Sequence, residues 1–332
     1  MQTIQVRLTK ELIKKAKDLV QTGLYSNKSE VIRDSLRRLI FQQIYTAKRN
    51  HKIIYTSDLH GNATQYKKLL KRAFESKAES VIIGGDITPK DKKHRTIKYQ
   101  KEFIEKKLIP IIKKFNNKNK SRSHKCITYI IMGNDDFKSN YKILKKYENI
   151  IKLIQDKCIK FYEDFKIIGY SYVPITPFIY KDWEKPDLNI ENEYKTRKPF
   201  TEKGFINKTK KTIIDLKNRK TTIEKDINKL MKNKDPKKVI LVAHAPPFKT
   251  NLDLMKNNKH IGSFAIKKLI QKKHPYLTMH GHVHETVDLS KNFKEINGNT
   301  VSITSGNNYK NNKLAMVELN LYEPEKAIRR II

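Results

Sequence analysis

Residues 52–62 are KIIYTSDLHGN. An apolar run through Ile53, Ile54 and Tyr55 breaks at once into Asp58, His60 and Asn62, as a buried strand does when it ends in a polar turn. The same grammar recurs along the chain. SVIIGGD (80–86) ends on Asp86, and CITYIIMGNDD (126–136) ends on Asn134, Asp135 and Asp136. KKVILVAHAPP (237–247) ends on His244, and YLTMHGHVHE (276–285) on His280, His282 and His284. Helical stretches such as QYKKLLKRAFE (65–75) and YQKEFIEKKLIPIIKKF (99–115) separate the first strands. Strands alternating with helices predict an α/β sheet, and such sheets gather ligands at the carboxyl ends of their strands.

One Asp-x-His, or one histidine after a strand, carries little information. Five apolar strands in order, each ending in Asp, Asn or His, point to a common site. Carboxylate and amide oxygens mixed with imidazoles suit Mn, Fe or Zn ions. An aspartate shared by two such ions would hold them about 3.5–4 Å apart, close enough to polarise a phosphoryl group and activate a water.

DLHGN, GGD, GNDD, AHAPP and GHVH resemble the successive motifs of the calcineurin-like metallophosphoesterase superfamily. The wider runs GYSYVPITPFIYKDWEKPD, HAPPFKTNLD, IGSFAIKKLI and HGHVHE are similar to its Icc-related branch of phosphoesterases, over about residues 52–322. The resemblance implies an α/β fold, a β-sandwich flanked by helices, with a two-metal site at the strand ends. It implies Asp58, His60 and His284 around a first ion, Asn134, His244 and His282 around a second, and Asp86 bridging them. Mn²⁺ is the first expectation for both ions, with Fe, Zn or Ni as the others. Asp86, Asn134 and Asp135 are the expected catalytic residues, while His280 has no counterpart among the ligands and is expected to be structural or to support them.

One position departs from the pattern. The resemblance implies a histidine after Asn134 that contacts the phosphate and helps the leaving oxygen depart; this chain has Asp135. An ionised carboxylate donates no hydrogen bond and repels a phosphate oxygen. Asp135 therefore serves only if it is protonated, neutralised by a cation, or turned away. Esters with good leaving groups should suffer least. His94, in TPKDKKHRT, is the nearest substitute by sequence order, or else an exposed loop residue. Residues 181–238 are a charged insertion whose second half has helical spacing at Ile213, Ile214, Leu216, Ile223, Ile227 and Leu230.

Upstream, Ile4, Val6 and Leu8 alternate with Thr3, Gln5 and Arg7, the period of a half-buried strand. Thr9 should cap a helix bearing Leu12, Ala16, Leu19 and Val20 on one face, Gly23 should end it, and Ser26 should start a second. One strand and two helices are too little to fold alone, so a homodimer is expected, pairing residues 2–8 as a ribbon. That ribbon would present Thr3, Gln5 and Arg7 to base edges, and the amides near Ser26 and Asn27 to a phosphate. GLYSNKSEVIRDSLRRL, with the alternating strand before it, resembles the ribbon-helix-helix family of DNA-binding domains. The expected organisation is a β-α-α ribbon-helix-helix module at 1–45, a short linker at 46–51 and a metallophosphoesterase domain at 52–332.

The formal net charge of +37 over 332 residues suits a polyanionic partner, although lysine and asparagine are abundant throughout. Two cysteines without metal-type spacing, and no signal-like or membrane-length apolar run, lead us to expect a cytoplasmic protein. The sequence thus predicts a dimeric phosphodiesterase acting on a nucleotide, a cyclic nucleotide or nucleic acid, with DNA a partner. The competing expectation is a ribbon-helix-helix regulator or antitoxin-like repressor whose phosphoesterase domain senses a ligand.

Overall fold

A computed structural model describes residues 7–23, 25–48, 50–91, 95–120, 125–188, 199–216 and 220–332. They form two compact units, Met1–Asn50 and His51–Ile332.

In the first unit, Thr9 caps α1 (Lys10–Gln21) by accepting the Leu12 N–H at 3.4 Å, and Gly23 leaves the helix at a φ of 76°. In α2 (Lys28–Lys48), the Asn27 side chain accepts the Glu30 N–H at 3.0 Å. The Glu30 carboxylate in turn accepts the Ser26 N–H at 2.8 Å and its hydroxyl at 2.5 Å. The Ser26 amide, expected to be free for a phosphate, is thus already taken by an acid one turn away, in a reciprocal cap. Nothing in FQQIYTAK stops the helix, so it continues to Lys48, through much of the expected linker. Ala16 and Val31 are buried between the helices, but Leu12 and Leu36 remain 53% and 45% exposed. Thr3, Gln5 and most of the expected strand lie outside the described residues; Arg7 is exposed and belongs to no strand.

The second unit begins with β1 (Lys52–Thr56), α3 (Ala63–Glu75), β2 (Ser80–Gly84), α4 (Ile97–Phe103), α5 (Ile109–Asn119) and β3 (Ile127–Ile131). Then come α6 (Tyr141–Lys145), β4 (Lys152–Leu153), β5 (Cys158–Tyr162), β6 (Phe165–Tyr170), β7 (Lys203–Ile206) and β8 (Lys210–Ile213). Next are α7 (Ile223–Met231), β9 (Val239–Ala243), β10 (Leu254–Met255), β11 (Lys259–His260), α8 (Phe264–Lys273) and β12 (Leu277–His280). The last are α9 (Thr286–Ser290), β13 (Lys294–Asn297), β14 (Thr300–Thr304), β15 (Ala315–Asn320) and β16 (Ile328–Ile331).

Two six-stranded mixed sheets result, in the orders β16-β15-β1-β2-β3-β4 and β13-β14-β12-β9-β6-β5. The strands next to the site, β1, β2 and β3 in one sheet and β9 and β12 in the other, run parallel to their site-bearing neighbours. Alternation along each strand builds the layers. Ile53, Tyr55, Ile82, Ile240, Val242, Leu277 and Met279 fill the space between the sheets. Ile54, Val81, Ile83, Val239 and Leu241 belong to the core that also takes in Leu69 of α3, Ile112 of α5, Ile227 of α7 and Leu269 of α8.

Two local readings of the sequence are corrected. The stretch 99–115 is not one regular helix: α4 and α5 are joined by a π-helical turn at Ile104–Leu108, in which the Ile109 N–H reaches back to Ile104. Pro110, which has no N–H and crowds the preceding turn, follows this wider turn and opens α5. Ile213 is also not helical; it ends the β7–β8 hairpin, whose loop residues Asn207 and Lys208 have φ of 50° and 66°. The loop side chain with a taste for that backbone region, Asn207, sits among lysines and was hidden from a periodicity argument. The helix starts at Ile223, capped by Thr222.

Candidate metal centre

The ends of β1, β2, β3, β9 and β12 bring all seven residues named for metal binding together. Asp58, His60 and Asp86 are buried in tight turns whose backbones are left-handed, with φ of 57°, 40° and 51°, as is His282 at 69°. Side chains other than glycine and asparagine rarely adopt that region, and such strain persists where the surroundings enforce it. Here the hydrogen bonds from the Asp58 N–H to Gly85, at 3.0 Å, and from the His60 N–H to Asp86, at 2.8 Å, lock the first two strand ends together.

One group comprises Asp58, His60, Asp86 and His284, whose ligand atoms all lie within 4.8 Å of one another. His60 Nε2 is 3.1 Å from His284 Nε2 and 3.5 Å from Asp86 Oδ2, and His284 Nε2 is 3.4 Å from Asp58 Oδ1. A second group adjoins it. Asn134 Oδ1 is 2.7 Å from His282 Nδ1 and 3.1 Å from His244 Nε2, and His244 Nε2 is 3.4 Å from Asp86 Oδ2. The same carboxylate oxygen of Asp86 therefore faces both groups.

Electrostatics distinguishes the histidines. Burial pushes His60 down to about 3 and His282 to about 4, so both are neutral imidazoles at neutral pH. Burial would lower His244 too, but the charge of Asp86 beside it prevails and holds it up to about 9. Its Nδ1–H donates to the Gly84 carbonyl at 2.8 Å, which aims Nε2 at Asp86 and Asn134. Asp86 stays well below the usual carboxylate range despite its burial, because His244 and His60 stand against it. So many lone pairs converging in a dry space fit a cation.

His280 stands apart. It is fully buried, its Nδ1–H directed at the Ala243 and Ala245 carbonyls at 3.1 and 2.9 Å, and its Nε2 accepts the Thr278 hydroxyl at 2.8 Å. Neither ring nitrogen is available to the site. His94 lies outside the described residues. Asp136 ties the loops beneath the site together, accepting the N–H groups of Ile87 (3.0 Å), Thr88 (2.8 Å) and Gly133 (2.9 Å).

Asp135 is neutralised. Arg95 Nη2 meets its Oδ1 at 2.5 Å and Lys90 Nζ its Oδ2 at 3.1 Å, while its own N–H donates to Asp86 Oδ1 at 2.7 Å. Sequence reasoning missed these cations, which sit in a lysine-rich loop with nothing to mark them. It also missed Tyr309, whose ring lies 4.3 Å from His60 and 5.4 Å from His284, centroid to centroid. The signal was present: TVSITSGNN is a further apolar strand ending in polar residues, and it becomes β14. Its Asn307 donates to the Asp58 carbonyl at 3.2 Å and to Gln65 at 2.9 Å, bracing the first turn.

Gly133 shows how tightly the turns meet. A Cβ there would collide with the backbone nitrogen of Asp86 and stand 2.7 Å from His244 Nε2. Gly133→Ala is expected to cost about 3 kcal/mol, as overpacking against backbone does. Thermal unfolding of the metal-free chain checks this, and a change within about 0.5 kcal/mol would show that the turns yield.

The family model for calcineurin-like phosphoesterases matches residues 51–286. The chain is 26% identical over 244 residues to MJ1162, an uncharacterized protein of Methanocaldococcus jannaschii, covering 72% of this chain and 83% of that one. Among solved structures, TT1561 of Thermus thermophilus superposes with a TM-score of 0.51 at 12% identity, over 85% of this chain and 98% of that one, a likeness of fold. No helix among the described residues is long and apolar enough to cross a membrane. From the match across residues 51–286, which takes in every strand end of the cluster, the chain belongs to the calcineurin-like phosphoesterases and is a metal-dependent hydrolase of phosphate esters.

Proposed function

We propose that this protein is a two-metal phosphodiesterase, with Asp58, His60 and His284 holding one ion, Asn134, His244 and His282 the other, and Asp86 shared. The observation that carries this reading is the position of Asp86 Oδ2, 3.5 Å from His60 Nε2 and 3.4 Å from His244 Nε2, with a separate set of donors on either side. The ions, Mn²⁺ first among the candidates, supply Lewis-acid polarisation of the phosphoryl oxygens and an activated water when bound. The chain supplies the rest. Asp58 accepts the His282 N–H at 3.1 Å and so fixes the last turn, the Gly84 carbonyl orients His244, and burial keeps His60 and His282 unprotonated. A substrate of modest charge with a good leaving group, a nucleotide, cyclic nucleotide or nucleic-acid diester, matches a site whose Asp135 is ion-paired to Lys90 and Arg95. Purified protein is to be screened against bis-p-nitrophenyl phosphate, cyclic nucleotides and single- and double-stranded DNA with the metal varied. Failure of every ester with every divalent ion would end the reading.

The N-terminal unit is read as a dimerising, DNA-binding tether. Support comes from Leu12, Leu19, Leu36, Leu39 and Ile40, apolar side chains left exposed on α1 and α2. Leu36→Glu should turn a dimer into a monomer in sedimentation. Arg7→Ala should weaken duplex binding about tenfold while leaving hydrolysis of a small ester unchanged. Sedimentation of the unaltered chain as a monomer would rule the dimer out. Sequence-specific duplex binding without turnover would instead favour a ligand-sensing regulator.

A further inference from the structure

Asp135 occupies a place from which a carboxylate should repel substrate, and the structure shows what has been done with its charge. Two cations converge on it, Lys90 from the turn after β2 and Arg95 from the segment before α4. Their side chains are only 22% and 19% exposed. One carboxylate against two cations leaves a net positive charge in a partly dry cleft, beside the metal cluster. The geometry locates that charge closely: His60 Nδ1 lies 4.0 Å from Asp135 Oδ2, and the Tyr309 ring that covers His60 has Lys90 Nζ 4.8 Å above its centre. Arg95 is steadied by the Tyr180 ring, 4.5 Å from its guanidinium carbon.

We propose, on the hydrolase reading above, that Lys90 and Arg95 are the phosphate-gripping residues of this site and that Asp135 is the positioning residue that holds both. Donors remain to do it. An ammonium has three, and Asp135 is the acceptor Lys90 meets among the described residues. Arg95 Nε is buried with no acceptor among the described residues. Buried donors of a cation are normally satisfied, so an orphan at the rim of a metal cluster marks where an anionic oxygen belongs. Both groups keep their charge. A guanidinium does not titrate, and although burial alone would lower Lys90, the charges of Asp135 and Asp86 raise it above its ordinary value. Fixed cations stabilise charge building on the phosphoryl oxygens and deliver no proton to the leaving group. This distinguishes them from an acid.

The test uses the full-length protein loaded with Mn²⁺, with two readouts. Calorimetry measures the Kd of inorganic phosphate without turnover, and kcat/KM is followed over a series of aryl phosphodiesters differing in leaving-group acidity. Lys90→Gln is expected to weaken phosphate binding and lower kcat/KM, the latter by about 10²-fold, as loss of a preorganised donor does. The drop should be equal across the series, with metal content unchanged. Lys90→Arg should recover most of the loss. Asp135→Asn should lose about tenfold, with the shape of the pH profile intact. Should the glutamine variants shed metal, Lys90→Arg and Arg95→Lys decide: retained phosphate affinity supports a charge role, and its loss refutes one. The proposal is overturned if Lys90→Gln and Arg95→Gln both stay within about threefold of the parent. It is equally overturned if Asp135→Asn removes a limb of the pH profile and steepens the leaving-group dependence, which would make Asp135 the acid. A parent protein that binds phosphate but cleaves no ester defeats the hydrolase reading alone; one that binds no phosphate defeats this proposal.

Discussion

Asp86→Ala is expected to remove hydrolysis of bis-p-nitrophenyl phosphate, lowering kcat/KM by about 10³-fold or more. Asp86 sits between the two groups of donors. Its Oδ2 faces His60 and His244 from between the two groups, and its Oδ1 accepts the Asp135 N–H at 2.7 Å, so the loss reaches both proposed ion sites and the loop that follows Asn134. Asp86→Asn separates charge from shape. An asparagine side chain keeps an oxygen for the Asp135 N–H and accepts the left-handed backbone, yet lacks the charge that the two proposed ions would share. Activity should be lost in this variant too, while its metal-free fold survives. Activity within tenfold of the parent in both variants would show that Asp86 is not the shared group.

The second large effect concerns pH. On the proposed assignment, metal binding requires the Nε2 lone pair of His244, and in the metal-free protein a proton occupies it up to about pH 9. His60 and His282, at about 3 and 4, have no proton to release near neutrality. Above pH 7, Asp136, which burial and then the charge of Asp86 hold at about 7, has also ionised. From pH 7 to 9, Mn²⁺ affinity should therefore rise about tenfold per pH unit and then level off. Calorimetry in buffers of different ionisation enthalpy should count one proton released. A flat affinity across that interval would contradict the assignment.

The stability of the metal-free protein should move the other way. His244 in the folded state titrates above its ordinary 6.5, so its contribution is fully present below 6.5 and fades as pH rises through 9. Asp86 titrates below its ordinary 3.8, so its contribution is present above 3.8 and is lost as pH falls through the depressed folded value. Melting temperatures of the metal-free chain should decline from pH 6.5 to 9 as those of the metal-loaded chain climb.

How much of this was legible beforehand depended on whether the signal was local. Each strand end announces itself, because a buried strand is apolar and the turn that follows it here is polar; that contrast marks the five clusters, and the choice of Asp58, Asp86, Asn134, His244 and His284 within them came from the resemblance to the family's motifs. The neutralisation of Asp135 could not. It requires that the turn after β2 and the segment before α4 fold over the end of β3, a long-range fact that no periodicity encodes, and Lys90 and Arg95 are two cations among 71 lysines and arginines. Tyr309 was overlooked although the strand before it could be read, since it reaches the site with a ring and its loop neighbour Asn307 with a bracing amide. The hairpin at β7–β8 was misjudged because isoleucines spaced by chance imitate a helix when turn chemistry is ignored. In the N-terminal unit the cap at Thr9 follows from its immediate neighbours, whereas the second helix, expected to start at Ser26, is capped by Asn27, and the engagement of Ser26 by Glu30 was equally local but overlooked.

The left-handed turns have a consequence for anyone who would engineer this enzyme. Asp58, His60, Asp86 and His282 each hold a backbone shape in which glycine would rest more easily. A campaign that selects survivors of heat, blind to catalysis, should drift toward glycine at His60 and His282 and gather thermostable chains that lack ligands we propose for the metals. Durability and chemistry compete here for the same residues, so selection for one must be run under selection for the other.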